Sequence, residues 1–174
     1  MFETDRLFLR KLKDYDVDEI FKMRSDKDIM RFIRKLQTDP EESLAWIEMI
    51  SARWEKDKIG FCGVIEKQSK SFVGWCGLWQ LAETKEFEVG YAINKNYWGK
   101  GYATESAKRI LQYGFNELNL NKIVAVSYPE NQPSQNVMKR LGMSFIQIGK
   151  FYDNELVQYA ITSDEYLRNR ETSS

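Results

Sequence analysis

The sequence predicts one mixed α+β domain spanning residues 1–174, and three observations carry that prediction. The length of 174 residues lies within the span of about 100–200 that one compact domain occupies. Its 43% hydrophobic and 14% aromatic content is too apolar for a disordered chain. Up to residue 93 short apolar runs alternate and are joined by polar turns, whereas from Tyr102 the apolar spacing becomes helical.

The elements follow in order. Arg6-Leu7-Phe8-Leu9-Arg10 alternates as a first strand. Asp14 and Asp16 precede Val17, Ile20, Phe21 and Met23, a helical spacing with acids where the helix dipole favours them. Asp39 is a good N-cap and Pro40 fits the first position of a helix whose stripe is Leu44, Ile47, Met49, Ile50 and Trp54. Runs at 61–66 and 72–79, joined by 67–71, read as an antiparallel hairpin, and 87–93 as the next strand. A helix is predicted from Tyr102 to about Phe115, a buried strand at 123–126, and a helix from Pro133 to Leu141 stopped by Gly142. Strands at 143–148 and 156–162 close the chain before a short charged tail. The count is about seven strands and four to five helices.

Composition excludes several chemistries. Lys+Arg and Asp+Glu are balanced at 26 each, which argues against a nucleic-acid-coating surface. There is no His, so imidazole relays and His-based triads are unavailable. No signal peptide is visible, and no run approaches the roughly 18 apolar residues of a membrane span, so a cytoplasmic protein without membrane partners is expected. Cys62 and Cys76 are too few for a disulfide framework or a metal knuckle, and no metal site is predicted. Both lie seven residues from Ser69, so a hairpin centred there sets two reduced thiols face to face.

The chemistry concentrates in residues 88–105. A strand leads into a loop with Gly99, Lys100 and Gly101, and then into a helix. The first N–H groups of a helix lack partners and carry partial positive charge, and glycines let a phosphate approach the backbone. The glycines alone are equally compatible with an ordinary strand-to-helix loop. A P-loop is excluded because Tyr102 follows Gly101, and a dinucleotide fingerprint because Thr104 stands where the third glycine belongs.

Asn96-Tyr97-Trp98-Gly99-Lys100-Gly101-Tyr102-Ala103-Thr104-Glu105, with this order of elements, resembles the acetyl-CoA-binding motif of the GNAT acetyltransferase superfamily. The closer similarity is to its RimJ/RimL-type branch of protein N-terminal acetyltransferases. Asn96 stands where that family's loop carries Gln or Arg. A second segment, Asn131 to Met143, resembles the family's later N-x-x-S…G-F stretch, with Met143 in place of Phe. The start, Thr4 to Arg10, is also typical of the branch. The resemblance covers residues about 4 to 162.

The resemblance implies a mostly antiparallel twisted sheet whose strands at 87–93 and 122–127 splay apart. The pantetheine arm of acetyl-CoA would lie in that gap along Ala92 and Ile93. The pyrophosphate would rest on Trp98, Gly99, Lys100, Gly101, Tyr102, Ala103 and Thr104, with Asn131, Ser134 and Asn136 along the arm. Strand alternation places Glu88, Gly90 and Ala92 on one face, leaving a carboxylate among small residues where a thin ligand could fit. On the residues alone Glu88 reads as a solvated strand acid. The resemblance makes it the candidate base, acting directly or through water. The backbone N–H of Tyr91 or Ala92 is the candidate oxyanion donor, and Ser134 the candidate proton donor to the thiolate, since Met138 replaces the family's usual Tyr.

Trp46, Trp75, Trp79 and Phe32 are candidates for an acceptor pocket and equally for the core. The cluster Arg31, Arg34 and Lys35 reads as a solvated face or as a guide for an acidic acceptor. The implied activity is acetyl transfer to a primary amine, a protein N-terminus first. A small-molecule amine (polyamine, aminoglycoside or amino-nucleotide) and a CoA-binding module without turnover are the alternatives, with a monomer or homodimer as the assembly.

Overall fold

The computed structural model describes residues 1–33 and 36–171. Eight strands are described, one more than expected: β1 Phe2–Glu3, β2 Leu7–Lys11, β3 Gly60–Glu66, β4 Phe72–Gln80, β5 Phe87–Ile93, β6 Lys122–Ser127, β7 Ser144–Phe151 and β8 Asn154–Thr162. They form one sheet in the spatial order β1-β2-β3-β4-β5-β6-β8-β7. The extra strand is two residues long, Phe2 opposite Leu9 and Glu3 opposite Phe8, too short to alternate visibly. Neighbouring strands are antiparallel except β5 and β6, which are parallel and share a single registered pair, Glu88 opposite Val124. Beyond it the two strands splay.

Six helices are described: α1 Val17–Arg24, α2 Lys27–Met30, α3 Pro40–Asp57, α4 Tyr102–Asn116, α5 Gln132–Arg140 and α6 Ser163–Glu171. Asp39 caps α3 by accepting the Glu41 N–H at 2.9 Å, with Pro40 in its first turn. Asp16 does more than favour a helix dipole. Its buried carboxylate takes both Arg10 guanidinium nitrogens at 2.7 Å and the Lys13 N–H at 2.8 Å, clamping α1 to β2. The charged tail after Thr162 is a helix, a correction that the sequence signals. Thr162 and Glu165 form a reciprocal cap, Oε2 of Glu165 accepting the Thr162 N–H at 2.8 Å and Oγ1 of Thr162 accepting the Glu165 N–H at 3.3 Å. Tyr166 then stacks on Phe115 at 4.8 Å.

The helices cover opposite faces of the sheet. Trp46 of α3 packs on Phe61 and Trp75 at 5.8 and 5.6 Å. On the other face α4 lies so close that a Cβ at Gly114 would meet Ile123 at 2.6 Å and Leu78 at 3.3 Å. Cys62 pairs opposite Cys76, both buried as free thiols, as the hairpin spacing predicts.

Candidate active site

Strand β5 sets the site's backbone chemistry. The Asn94 N–H donates to the Val73 carbonyl at 2.8 Å, on the β4 side. Peptide groups alternate along a strand, so Glu88, Gly90 and Ala92 point their N–H and C=O groups at β4, and Val89, Tyr91 and Ile93 point theirs at β6. The Trp98 indole N–H donates to the Ile93 carbonyl at 2.6 Å, on that β6 side. With β6 splayed away after Val124, the Tyr91 N–H opens into the gap and the Ala92 N–H does not. Of the two candidate oxyanion donors, only Tyr91 has the right direction.

The loop after β5 leaves backbone and side-chain donors unused. Gly99 and Gly101 have φ of +77° and +82°, a region that a Cβ disfavours. A Cβ at Gly99 would meet nothing within 4 Å, so the loop surface is open there. Gly101 caps α4 without offering a side-chain acceptor to its first N–H groups. Thr104 Oγ1 is buried with no hydrogen-bond partner among the described residues. Orphaned donors at a helix start and an unobstructed glycine backbone fit a pyrophosphate. Lys100 stands over the Tyr97 ring at 4.9 Å, next to the loop.

The cradle is anchored from behind. Glu105 accepts from Thr4 Oγ1 at 2.6 Å and from the N–H and guanidinium of Arg6 at 3.0 and 2.7 Å. Burial opposes charge on Glu105, but these donors outweigh it and hold the carboxyl below the usual carboxylate range. Arg6 stacks on Tyr102 at 4.8 Å, and the Tyr102 hydroxyl donates to Glu66.

Across the gap, Asn131 caps α5 by accepting the Ser134 N–H at 3.2 Å. The Tyr91 hydroxyl donates to the Ser134 carbonyl at 3.1 Å and lies 3.2 Å from Ser134 Oγ. Burial pushes the Tyr91 hydroxyl's pKa up, more than its contact with Ser134 lowers it, so it stays protonated. Asn136 is exposed and does not border the cavity described next, unlike Asn131 and Ser134.

A cavity of about 180 Å³ joins these groups to the opposite face of β5. Tyr91, Asn131, Ser134 and Met138 border it, as do Glu88 and the rings of Phe32, Trp46, Trp75 and Trp79. The aromatic candidates therefore line the cavity. The small residues beside Glu88 serve a different neighbour than a thin ligand. A Cβ at Gly90 would meet the Phe61 ring at 2.9 Å, so that space is filled by an aromatic stack in which Phe61 lies 6.1 Å from Trp79. Half-buried Glu88 is not a solvated strand acid, since Tyr152 Oη donates to its Oε2 at 2.5 Å. Arg24, 9% exposed, lies 4.4 Å over Trp46, and Arg53 lies 5.1 Å over Trp79. A second, wider cavity of about 610 Å³ shares Arg24, Ile33, Tyr128, Tyr152 and Asn154 with the first. Arg31 lines this outer space, while Arg34 and Lys35 lie outside the described residues.

Residues 6–144 match the acetyltransferase (GNAT) domain family, which is most of the chain. The chain belongs to the GNAT acetyltransferase family. It is 33% identical over 140 residues to the N-acetyltransferase YnaD of Bacillus subtilis, a match that covers 80% of each protein. A GNAT-family acetyltransferase structure from Bacillus anthracis superposes with a TM-score of 0.81 at 27% identity, covering 93% of this chain and 98% of that one. The fold is also that of RimL, a ribosomal L7/L12 α-N-protein acetyltransferase solved with coenzyme A (TM-score 0.80, 14% identity, 93% and 97% covered). This GNAT chain is thus an N-acetyltransferase, and the family's acyl donor is acetyl-CoA.

Three contacts of the candidate site are absent from the sequence reading. Tyr152 reaches Glu88 from a strand turn 64 residues away, Arg24 enters from α1, and Phe61 fills the space over Gly90. The Thr4–Arg6 anchor for Glu105 had a trace in the sequence, the motif at the chain's start.

Proposed function

We propose that this acetyltransferase moves the acetyl group of acetyl-CoA to the α-amino group of a protein N-terminus, in the manner of the RimJ/RimL-type branch. The observation that carries this reading is one cavity reaching from the Tyr91 N–H and Ser134 to Glu88, then widening into an outer space that leaves room for a chain. A free α-amino group titrates near about 8, against about 10.4 for lysine, so a carboxylate at neutral pH deprotonates it more readily.

Acetyl-CoA supplies an activated thioester carbonyl. Glu88 accepts a proton from the incoming ammonium, directly or through one water, and frees the nitrogen lone pair. The nitrogen–carbon bond forms while the Tyr91 N–H donates to the developing oxyanion. The carbon–sulfur bond then breaks, the nitrogen gives up its second proton to water, and the thiolate takes the proton of Ser134 Oγ, which regains one from water as Glu88 sheds its own to solvent. The loop from Trp98 to Thr104 holds the phosphates, with Asn131 ordering the start of α5 beside the arm.

A polyamine acceptor is the weaker reading. Arg24 and Glu88 line the inner cavity, and Arg24 and Arg31 face Glu42 and Asp153 around the outer one, so the walls are charge-balanced and not the acidic cleft that a polycation needs. Thiol release from acetyl-CoA, followed with a panel of free-N-terminus peptides, N-blocked lysine peptides and polyamines, tests this. Peptides with a free α-amino group are expected to give the highest kcat/KM. A polyamine outpacing every peptide would overturn the N-terminal reading.

A further inference from the structure

Between β7 and β8 the chain reverses in two residues, Tyr152 and Asp153, with φ of +51° and +61°. Such a turn favours Asn-Gly, because both central positions take left-handed backbone. Tyrosine is poorly suited to that conformation, and Tyr152 is the aromatic residue that adopts it among the described residues. Polar contacts hold it in place. The Tyr152 N–H donates to Glu83 Oε1 at 2.7 Å, and Asn154 Nδ2 donates to the Tyr152 carbonyl at 2.6 Å. So fixed, the side chain borders both the inner aromatic cavity and the outer space, with its hydroxyl 2.5 Å from Glu88 Oε2. Backbone strain that the surroundings maintain marks a residue placed for something other than local stability.

We propose that Tyr152 is a positioning residue for Glu88 and the gate between the two cavities. Its hydroxyl holds the carboxylate in place at the junction of the two cavities while the acceptor's ammonium approaches from the outer one. The inference rests on Glu88 being the base.

The test compares wild type, Tyr152→Phe, Tyr152→Asn and Glu88→Gln. For each, the pH profile of kcat/KM is measured with acetyl-CoA and a short peptide bearing a free α-amino group, alongside Tm and CoA affinity. Tyr152→Phe is expected to lower kcat/KM by about 10-fold or more, through loss of geometry at the reacting nitrogen. It is also expected to move the acid limb of the profile to higher pH, since a carboxylate that loses a donor protonates more readily. CoA affinity stays within about twofold, which separates this effect from the donor site. Tyr152→Asn relaxes the turn, so its Tm rises while kcat/KM falls at least as far as in Tyr152→Phe.

A wild-type profile for Tyr152→Phe, with Glu88→Gln inactive, would overturn the role of Tyr152 and leave Glu88 as base. So would Tm and activity falling together in Tyr152→Asn, the mark of a turn that only stabilises. Glu88→Gln turning over at the wild-type rate, or no thiol release with any amine, would overturn the Glu88 reading and this inference with it.

Discussion

The two ends of β5 are built in opposite ways. After Ile93 the proposed donor side is a run of consecutive residues whose backbone amides would do the binding, with Gly99 and Gly101 leaving that backbone uncovered. At Glu88 the proposed acceptor side is made of side chains from widely separated segments: Trp46 from α3, Phe61 from β3, Trp79 from β4 and Tyr152 from the last turn of the sheet. The first kind of site survives most sequence change provided backbone geometry is kept. The second depends on long-range packing, so specificity can change there without disturbing the donor side.

The largest expected effect comes from breaking the acceptor end. Glu88→Gln keeps the side chain's size and a hydrogen-bonding partner for Tyr152. It is expected to lower kcat by about 10²–10⁴-fold, the usual worth of a positioned base, with CoA affinity within about twofold of wild type. Steady-state thiol release and a CoA binding isotherm check the two halves. Breaking the donor end gives the converse. Gly101→Ala places a Cβ at φ +82°, a strain of about 1–2 kcal/mol, with only ordinary contact to Arg6 at 3.5 Å. CoA Kd is expected to rise about 10-fold while kcat at saturating acetyl-CoA stays near wild type.

What was legible in the sequence follows the same division. The glycine loop, the alternation of β5, the opposition of Cys62 and Cys76 and the stop at Gly142 (φ +79°) are local or single-hairpin features. Each is set by a Cβ, a strand period or a turn length. Tyr152 against Glu88 was not legible, because the β7–β8 turn lacks the Asn-Gly chemistry that marks such turns and the pair depends on β6 inserting between β5 and β8. Gly90 misled in a related way. Its small size reads as room for a ligand, yet the room is taken by Phe61 two strands away.

Smaller effects sharpen how the donor end is supported. Glu105 anchors the cradle through Thr4 and Arg6, so Glu105→Gln is expected to lower stability by about 1–2 kcal/mol at pH 7, a few degrees in Tm. The folded Glu105 carboxyl sits below its ordinary range, so its contribution is present above the unfolded value of about 4.3 and is lost as pH falls through the folded value. Thermal melts of wild type and Glu105→Gln are expected to converge in acid. The smallest effect is a silence. Burial pushes the Cys62 thiol up to about 12 and Cys76 higher still, so neither is expected to react with a thiol reagent until the protein unfolds, when two thiols titrate. Fast labelling of the folded protein would contradict that packing.

The division of β5 into a backbone-built donor end and a side-chain-built acceptor end is tested most directly by the double variant Glu88→Gln, Gly101→Ala. Its kcat and CoA Kd are measured beside those of both single variants. Independent ends predict the kcat of Glu88→Gln and the Kd of Gly101→Ala, with effects adding to within about 0.5 kcal/mol. A Kd loss already present in Glu88→Gln, a kcat loss already present in Gly101→Ala, or a double variant no worse than either single one would contradict it.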